Sequence, residues 1–283
     1  KKFYGPSTLR KGIEFSRNLM TVRISENLGL KKILNLSKEL EIYDEIPELL
    51  SVSLGSAETT LLSITSAYAS FVNGGKKINP ILIDRIQDRR GKTIFNSDLR
   101  ECVGCDRILE NNINFPKIID NHKQVFSEET AYQMTSILEG VIKRGTGKKL
   151  RDLKVPLAGK TGTTNSNFDA WFIGFSSNLV IGVYIGFDNP ESLGRYETGA
   201  KAALPIFKDF VKKALYQEDF KEFPIPNGIY FSAINYNTGK KEDFNNPKAI
   251  TEAFKIKDIN KTKNKNLSEV DNYDKLIKFR QFY

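Results

Sequence analysis

The chain has 283 residues, of which 40% are hydrophobic, and a formal net charge of +9 at pH 7. This length and composition can fill one large or two ordinary cores, which excludes a wholly disordered protein. No apolar run reaches the roughly 18 to 20 residues of a membrane span and the amino terminus lacks a signal-peptide core, so any anchor or export signal is expected outside these residues. The positive charge favours acidic partners: nucleic acid, an anionic membrane surface or a substrate rich in carboxylates.

The amino-terminal residues 5–29 are predicted to form two helical segments that meet at Ser16-Arg17-Asn18. Leu9, Ile13 and Phe15 give the first segment an apolar stripe at helical spacing. Asn18 is a candidate cap of the second segment, which is the ordinary structural explanation for an asparagine at a helix start.

Four later segments also have helical periodicity. Ser56 is the expected cap of the helix over 58–72. Ser127 is the expected cap of the next helix, whose first turn carries two acidic residues at the positive end of the helix dipole. The last of the four is amphipathic and suited to covering a sheet. The four segments are 31–50, 58–72, 127–144 and 200–216.

Strand periodicity occurs in two places before the carboxy-terminal region. Residues 80–95 contain two apolar runs around Asp88-Arg89-Arg90-Gly91, which predicts a peripheral hairpin. After residue 156 three strand-like segments follow too closely for crossover helices, so they are expected to form an antiparallel meander. These three segments are 157–163, 168–175 and 179–187. Residues 223–254 contain further strand-like pieces, and residues 255–283 are expected to be a loose polar tail.

The single histidine and the two cysteines exclude several kinds of site. His122 lies in a polar stretch typical of a loop, so neither a Ser-His-Asp triad nor a multi-histidine metal site is expected. Cys102 and Cys105 form the only CxxC, which cannot complete a tetrahedral zinc site and lacks the flanking strand and helix of a thioredoxin-like motif. A disulfide that closes a surface loop is the preferred interpretation, with two free thiols as the alternative. No metal or cofactor is expected.

The tripeptide Lys160-Thr161-Gly162 lies within the first strand of the predicted meander. A cation, neighbouring hydroxyls and a glycine that lets a ligand approach the backbone suit a carboxylate or an oxyanion. The sequence GKT does not indicate a nucleotide-binding P-loop. Position 154 is lysine where that loop requires glycine, and a strand rather than a helix follows.

A serine acyltransferase would use both tripeptides. Such a site needs a nucleophilic serine beside a lysine, a second polar pair that moves protons and holds the substrate amide, and a lysine-hydroxyl-glycine strand edge. Ser16-Arg17-Asn18 and Lys160-Thr161-Gly162 are present in the required order. Each tripeptide is a weak signal alone, because Ser-x-Asn also arises by chance and as a helix cap.

The surroundings of these tripeptides resemble the transpeptidase domain of class A (bifunctional) penicillin-binding proteins. The resemblance is carried by FSRNLMTVRI, LGSAETTLLSITSAYASFVNGGK, AYQMTSILEGVIKRGTG, AGKTGTTNSNFDAWFIGF and GVYIGFDNP. It implies an α+β fold with an antiparallel sheet flanked by helices, plus a helical subdomain. It also implies a partial transpeptidase domain over 1–218, in which 80–125 is a peripheral hairpin and CxxC loop insertion, and a carboxy-terminal extension over 219–283 with a basic tail.

The resemblance implies peptidoglycan crosslinking through an acyl-serine intermediate, with β-lactams trapping the same serine. By this resemblance Ser16 relays a proton, Asn18 binds the substrate amide and Lys160 supplies positive charge near Ser16. The hydroxyls of Thr161 and Thr163 would face the substrate carboxylate, and the Thr163 N–H would form half of the oxyanion hole. Gly162 belongs to the same substrate-binding edge. The implied partners are stem peptides and β-lactams, and the implied location is the periplasmic or extracytoplasmic face of the bacterial inner membrane.

One departure concerns the nucleophile, which in this family lies in a Ser-x-x-Lys motif upstream of Ser-x-Asn. No Ser-x-x-Lys occurs in the 283 residues. We therefore expect the amino-terminal part of the domain to be missing, the fragment alone to be inactive, and that missing segment to be a partner. One edge of the strand over 179–187 should then be bare, with Val180, Val183 and Ile185 poorly covered.

Two alternatives stay open. A D,D-carboxypeptidase or β-lactamase-like serine hydrolase shares the Lys-Thr-Gly chemistry, with water in place of the acceptor amine. A non-catalytic module could instead use the basic surface to bind anionic glycan, membrane or nucleic acid in a salt-sensitive way. For the transpeptidase no nucleic acid is expected, and membrane attachment is expected only through an anchor outside this chain.

Overall fold

The computed structural model describes residues 4–98, 100–105, 115–215 and 221–258, so most of the predicted tail lies outside the described residues. Six α-helices in this part match the predicted helical segments, and the predicted break between the first two falls at Ser16 and Arg17. The helices are α1 (Leu9–Glu14), α2 (Asn18–Leu28), α3 (Leu30–Glu39), α4 (Leu61–Val72), α5 (Glu128–Lys143) and α6 (Ala203–Ala214).

Two of the predicted helix caps are wrong. Thr60, not Ser56, caps α4, and its hydroxyl accepts from the Ser63 N–H at 3.0 Å. Asn18 is the first residue of α2, and no side chain caps that helix. Ser127 caps α5 as predicted. The helix-cap explanation of Asn18 therefore does not apply.

The strands of the described residues form four antiparallel groups. They are β1 (Arg85–Gln87), β2 (Thr93–Asn96), β3 (Cys102–Val103), β4 (Lys117–Ile118), β5 (Ala158–Thr163), β6 (Ala170–Phe175), β7 (Val180–Ile185), β8 (Ile229–Asn235) and β9 (Ala249–Lys255). β1 pairs with β2, β3 with β4, and β8 with β9. β5, β6 and β7 form the predicted meander in that order.

Helices cover both faces of the meander, as the predicted fold class requires. Phe175 on one face packs in a buried cluster with Leu138 and Val141 of α5. Phe172 on the other face packs with Leu204 and Phe207 of α6. Successive side chains of a strand point to opposite faces, so β6, in the middle of the meander, contributes to both clusters.

β7 pairs only with β6 within the described residues, so its other edge is open, as expected. The expectation of poor cover is wrong. Val180 packs against the α5 cluster, and Val183 and Ile185 pack against the α6 cluster; all three are half-buried. Helices on both faces cover the side chains, while the backbone of the strand edge stays available for pairing.

The β8–β9 hairpin packs on α5. Phe223, Ile229 and Ala253 share one buried cluster with Tyr132 of α5. The boundary at residue 218 stays a prediction, but the residues that follow it contribute directly to the core beside the meander.

The peripheral insertion, residues 80–125, contains the predicted hairpin as β1 and β2. Cys102 and Cys105 form a disulfide at its β3–β4 ladder. Residues 99 and 106–114 lie outside the described part. Among the described residues, no helix has both the length and the apolar character that a membrane crossing requires.

Candidate active site

Ser16 lies in the tight turn between α1 and α2. Its φ of 52° is in the left-handed region, which residues other than glycine rarely adopt. The turn is closed by the Ser16 N–H, which donates to the Ile13 carbonyl at 3.1 Å, and by the Arg17 N–H, which donates to the Gly12 carbonyl at 2.8 Å. Strained backbone of this kind persists when the surroundings fix it, and it is frequent in active sites.

Lys160 links its own tripeptide, Lys160-Thr161-Gly162, to Ser16-Arg17-Asn18. It lies on β5 opposite Ile173, and its Nζ donates to Ser16 Oγ and to the Thr161 carbonyl, both at 2.7 Å. Burial lowers the pKa of Lys160 to about 8 from an ordinary value of 10.5. A lysine that loses its proton this readily, in contact with a serine hydroxyl, can exchange protons with it under mild conditions.

The two threonine hydroxyls of β5 both have partners inside the protein. Thr161 Oγ1 lies 2.8 Å from Thr146 Oγ1. Thr163 Oγ1 accepts from the Gly199 N–H at 3.0 Å. Since a hydroxyl both donates and accepts, the Thr163 proton remains available for a ligand. Gly162, which has no side chain, lies between them on the strand.

Asn18 is the first residue of α2, directly after the Ser16 turn, and its side chain is exposed. Because that side chain is not used as a cap, its amide is available to a ligand as both donor and acceptor. The predicted site residues are therefore brought together in part: Ser16 and Lys160 are in direct contact, Thr161 and Thr163 flank Gly162 on the same strand, and Asn18 adjoins the turn.

The Ser16 turn and the facing strand β5 are called the cleft below. Sequence reasoning missed the residues that lie behind it. The predicted apolar stripe of α1 holds for Ile13, which packs against the buried cluster of α5. Leu9 and Phe15 are instead 51% and 42% exposed, and Arg10 and Glu14 are buried. Glu14 pairs with Arg144 at 2.6 Å. A glutamate between two apolar residues was the available signal, but hydrophobic periodicity cannot distinguish a buried charge pair from a solvent-facing one.

Comparison of the chain with known proteins identifies its family. Residues 1–212 match the family described as the penicillin binding protein transpeptidase domain. The chain belongs to this family. It is 42% identical over 281 residues to penicillin-binding protein 1A of Rickettsia typhi, covering 98% of this chain and 35% of that protein. It is 34% identical over 287 residues to penicillin-binding protein 1A of Pseudomonas aeruginosa, covering 90% of this chain and 35% of that protein.

The fold agrees with a solved structure of the penicillin-binding protein family. The crystal structure of penicillin-binding protein 1A from Haemophilus influenzae superposes with a TM-score of 0.76 and 31% identity, over 89% of this chain and 40% of that chain. The chain thus spans about a third of the length of the relatives named above. Ser16, Asn18 and the whole of β5 lie within the matched transpeptidase domain.

Proposed function

We propose that this chain is part of a peptidoglycan D,D-transpeptidase that crosslinks stem peptides through an acyl-serine intermediate and binds penicillin. The contact between Lys160 Nζ and Ser16 Oγ, 2.7 Å long, carries the proposal. It unites the two tripeptides that transpeptidase chemistry requires, within a chain that belongs to the transpeptidase family.

The contact supports a proton-relay role for Ser16. Its oxygen accepts from Lys160, so its own proton can be donated toward a leaving amine, and the same path runs in reverse for an attacking amine. The lowered pKa of Lys160 favours this exchange near pH 8. Asn18, exposed at the start of α2, is placed in this proposal to hold the substrate amide.

The strand edge of β5 supports carboxylate and oxyanion binding. Successive N–H groups of a strand alternate in direction. The Thr164 N–H donates across the ladder to the Asp169 carbonyl at 3.2 Å, so the Thr163 N–H points away from β6. On that side β5 has no paired strand in the described part of the chain. That is the direction an oxyanion-hole donor needs. The hydroxyls of Thr161 and Thr163 complete the proposed carboxylate site.

The nucleophile in this proposal belongs to a Ser-x-x-Lys segment outside the 283 residues, which contain no such motif. Two observations support a docking place for that segment: the open edge of β7 and the exposed apolar side chains beside the Ser16 turn. The latter are Tyr4, Leu9, Phe15 and Leu19. The chain alone is then expected not to acylate.

The proposed location is the extracytoplasmic face of the bacterial inner membrane, with attachment through an anchor outside this chain. The disulfide between Cys102 and Cys105 supports an oxidising compartment, because such bonds rarely persist in a reducing cytosol.

Fluorescent penicillin tests the proposal. The 283-residue chain is expected to take no covalent label, and the same domain with its Ser-x-x-Lys segment present is expected to be labelled. Lys160→Ala in the labelled form should slow labelling by about 100-fold or more, because it removes the charge and proton partner of Ser16. Lys148→Ala is the matched control, since Lys148 is exposed on the connection after α5.

Two results would contradict the proposal. Label on the 283 residues alone would show that a nucleophile lies within them. An unlabelled domain with the Ser-x-x-Lys segment present would argue against penicillin binding altogether. With a stem peptide and an amine acceptor, crosslinked product distinguishes a transpeptidase from a hydrolase, which would release only the free acid.

A further inference from the structure

A buried carboxylate lies directly behind the turn that carries Ser16. The Glu14 side chain is fully buried. Arg144 Nη2 donates to its Oε1 and the Tyr236 hydroxyl donates to its Oε2, each at 2.6 Å. Arg10 lies 3.5 Å from Oε1. A buried carboxylate is tolerated when its lone pairs are satisfied in this way, and such a network is rigid.

This carboxylate connects α1 to the carboxy-terminal hairpin. Tyr236 directly follows β8. The Arg10 guanidinium, in turn, donates to Glu252 of β9 at 2.5 Å and to the Ser136 carbonyl of α5 at 2.8 Å. Burial and the Glu14 carboxylate raise the pKa of Tyr236 well above its ordinary value, so its hydroxyl remains a donor.

The backbone of Glu14 connects the same point to the other side of the cleft. Its carbonyl accepts from the Thr146 N–H at 3.1 Å, and the Thr146 hydroxyl lies 2.8 Å from that of Thr161 on β5. Glu14 can lie this close to residues 145 and 146 because residue 145 is glycine. A Cβ on Gly145 would lie 2.1 Å from the Glu14 carbonyl oxygen. Ser16 and the Lys-Thr-Gly strand are thus fixed relative to one residue.

We propose that Glu14 is a positioning residue which, anchored by the Tyr236 hydroxyl of the carboxy-terminal hairpin, holds Ser16 against Lys160. Ser16 needs such support because its left-handed backbone conformation is unfavourable for a serine. The β8–β9 hairpin is therefore part of the framework of the active site. The role in catalysis rests on the proposed function, but the geometry itself can be measured without acylation.

The test follows the Lys160 amine by NMR in the 283-residue chain labelled with ε-13C lysine. Its resonance is the one absent from Lys160→Arg. In the wild type its titration midpoint is expected near pH 8, because burial lowers this pKa. Tyr236→Phe removes one hydroxyl and keeps the ring. The Ser16 turn should then loosen and let water reach Lys160. The titration midpoint of Lys160 should therefore rise by about one unit toward the ordinary value.

Tyr230→Phe is the matched control: Tyr230 lies on the same hairpin, half-buried and stacked on Phe254 at 5.5 Å, and its substitution should leave the midpoint unchanged. Glu14→Gln, where it folds, should shift the midpoint in the same direction as Tyr236→Phe. Equal midpoints in the wild type and in folded Tyr236→Phe would overturn the positioning role. A shifted midpoint in a domain that takes no penicillin with its Ser-x-x-Lys present would instead refute the proposed function and leave the positioning role standing.

Discussion

The cleft and the peripheral insertion are held by contacts of different range. Lys160 and Ser16 meet at 2.7 Å although 144 positions separate them. The insertion also has contacts between residues that are close in sequence: Asp98 pairs with Arg100 at 2.6 Å, and the disulfide spans three positions. Its longer-range contacts lie near its carboxy-terminal end, where Asp120 pairs with Lys76 at 2.6 Å. The geometry of the cleft therefore depends on contacts across the whole fold, whereas the disulfide and the Asp98–Arg100 pair of the insertion are local contacts.

The side chains of the two regions also differ in how deeply they are buried. Glu14, behind the cleft, is fully buried, whereas Leu82 and Phe115 of the insertion are 98% and 82% exposed. Exposed ion pairs contribute little because water and salt screen them. Removing one partner from a buried charge network leaves an uncompensated buried charge, which strongly destabilises the fold. The same chemical change should therefore have very different effects in the two regions.

Glu14→Ala against Glu101→Ala is the sharpest form of this comparison. Glu14→Ala leaves Arg144 and Arg10 without their shared carboxylate and should lower the free energy of unfolding by about 3–5 kcal/mol. Glu101 is exposed in the insertion, so Glu101→Ala should stay within about 0.5 kcal/mol. Urea unfolding measures both. Similar costs for the two variants would remove the distinction between the regions.

Lys160 adds a dependence on pH that belongs to the cleft. Its pKa is about 8 in the folded chain against 10.5 ordinarily. Between these values the unfolded state binds more protons, so the free energy of unfolding rises with pH; below about pH 8 both states are protonated and this contribution is flat. Relative to Lys160→Met, the wild type should gain at most about 3 kcal/mol over this interval.

Urea unfolding at pH 7, 8, 9 and 10 measures this gain as the difference between the two proteins. Lys148→Met is the control, because the exposed Lys148 should leave the wild-type profile unchanged. Parallel profiles for the wild type and Lys160→Met would show that the Lys160 amine is not desolvated in the cleft.

The sequence was sufficient to predict the helices and the meander. The meander was predictable because its links are too short for any other arrangement, and its three strands lie within two residues of the predicted ranges. Pairing Ser16 with Lys160 required the resemblance to a family, since neither tripeptide is specific alone.

What the sequence could not provide was the support behind the cleft. Leu9 and Phe15 had the periodicity of a buried face, yet they are exposed, and Arg10 and Glu14 are buried. Apart from their contact with each other, their partners lie on α5, at its carboxy-terminal cap and in the carboxy-terminal hairpin, more than a hundred positions away. Periodicity counts apolar side chains, so it cannot detect a face that is buried through charge pairs. The Asn18 cap failed for a related reason, because a favourable residue at a helix start need not be used as a cap.

The disulfide tests the insertion by itself, and its loss should affect stability less than either substitution in the cleft, Glu14→Ala or Lys160→Met. The chain-entropy contribution of a disulfide grows with the loop that it closes, and for a loop as short as Cys102 to Cys105 it is at most about 2 kcal/mol. The double variant Cys102→Ser, Cys105→Ser should therefore lose less stability than Glu14→Ala and leave the Lys160 titration midpoint unchanged. Urea unfolding and the lysine NMR titration measure the two quantities. A larger loss of stability, or a shifted midpoint, would mean that the insertion supports the cleft despite its exposure. A bond confined to a few local residues can alter the cleft only through contacts that link the two regions.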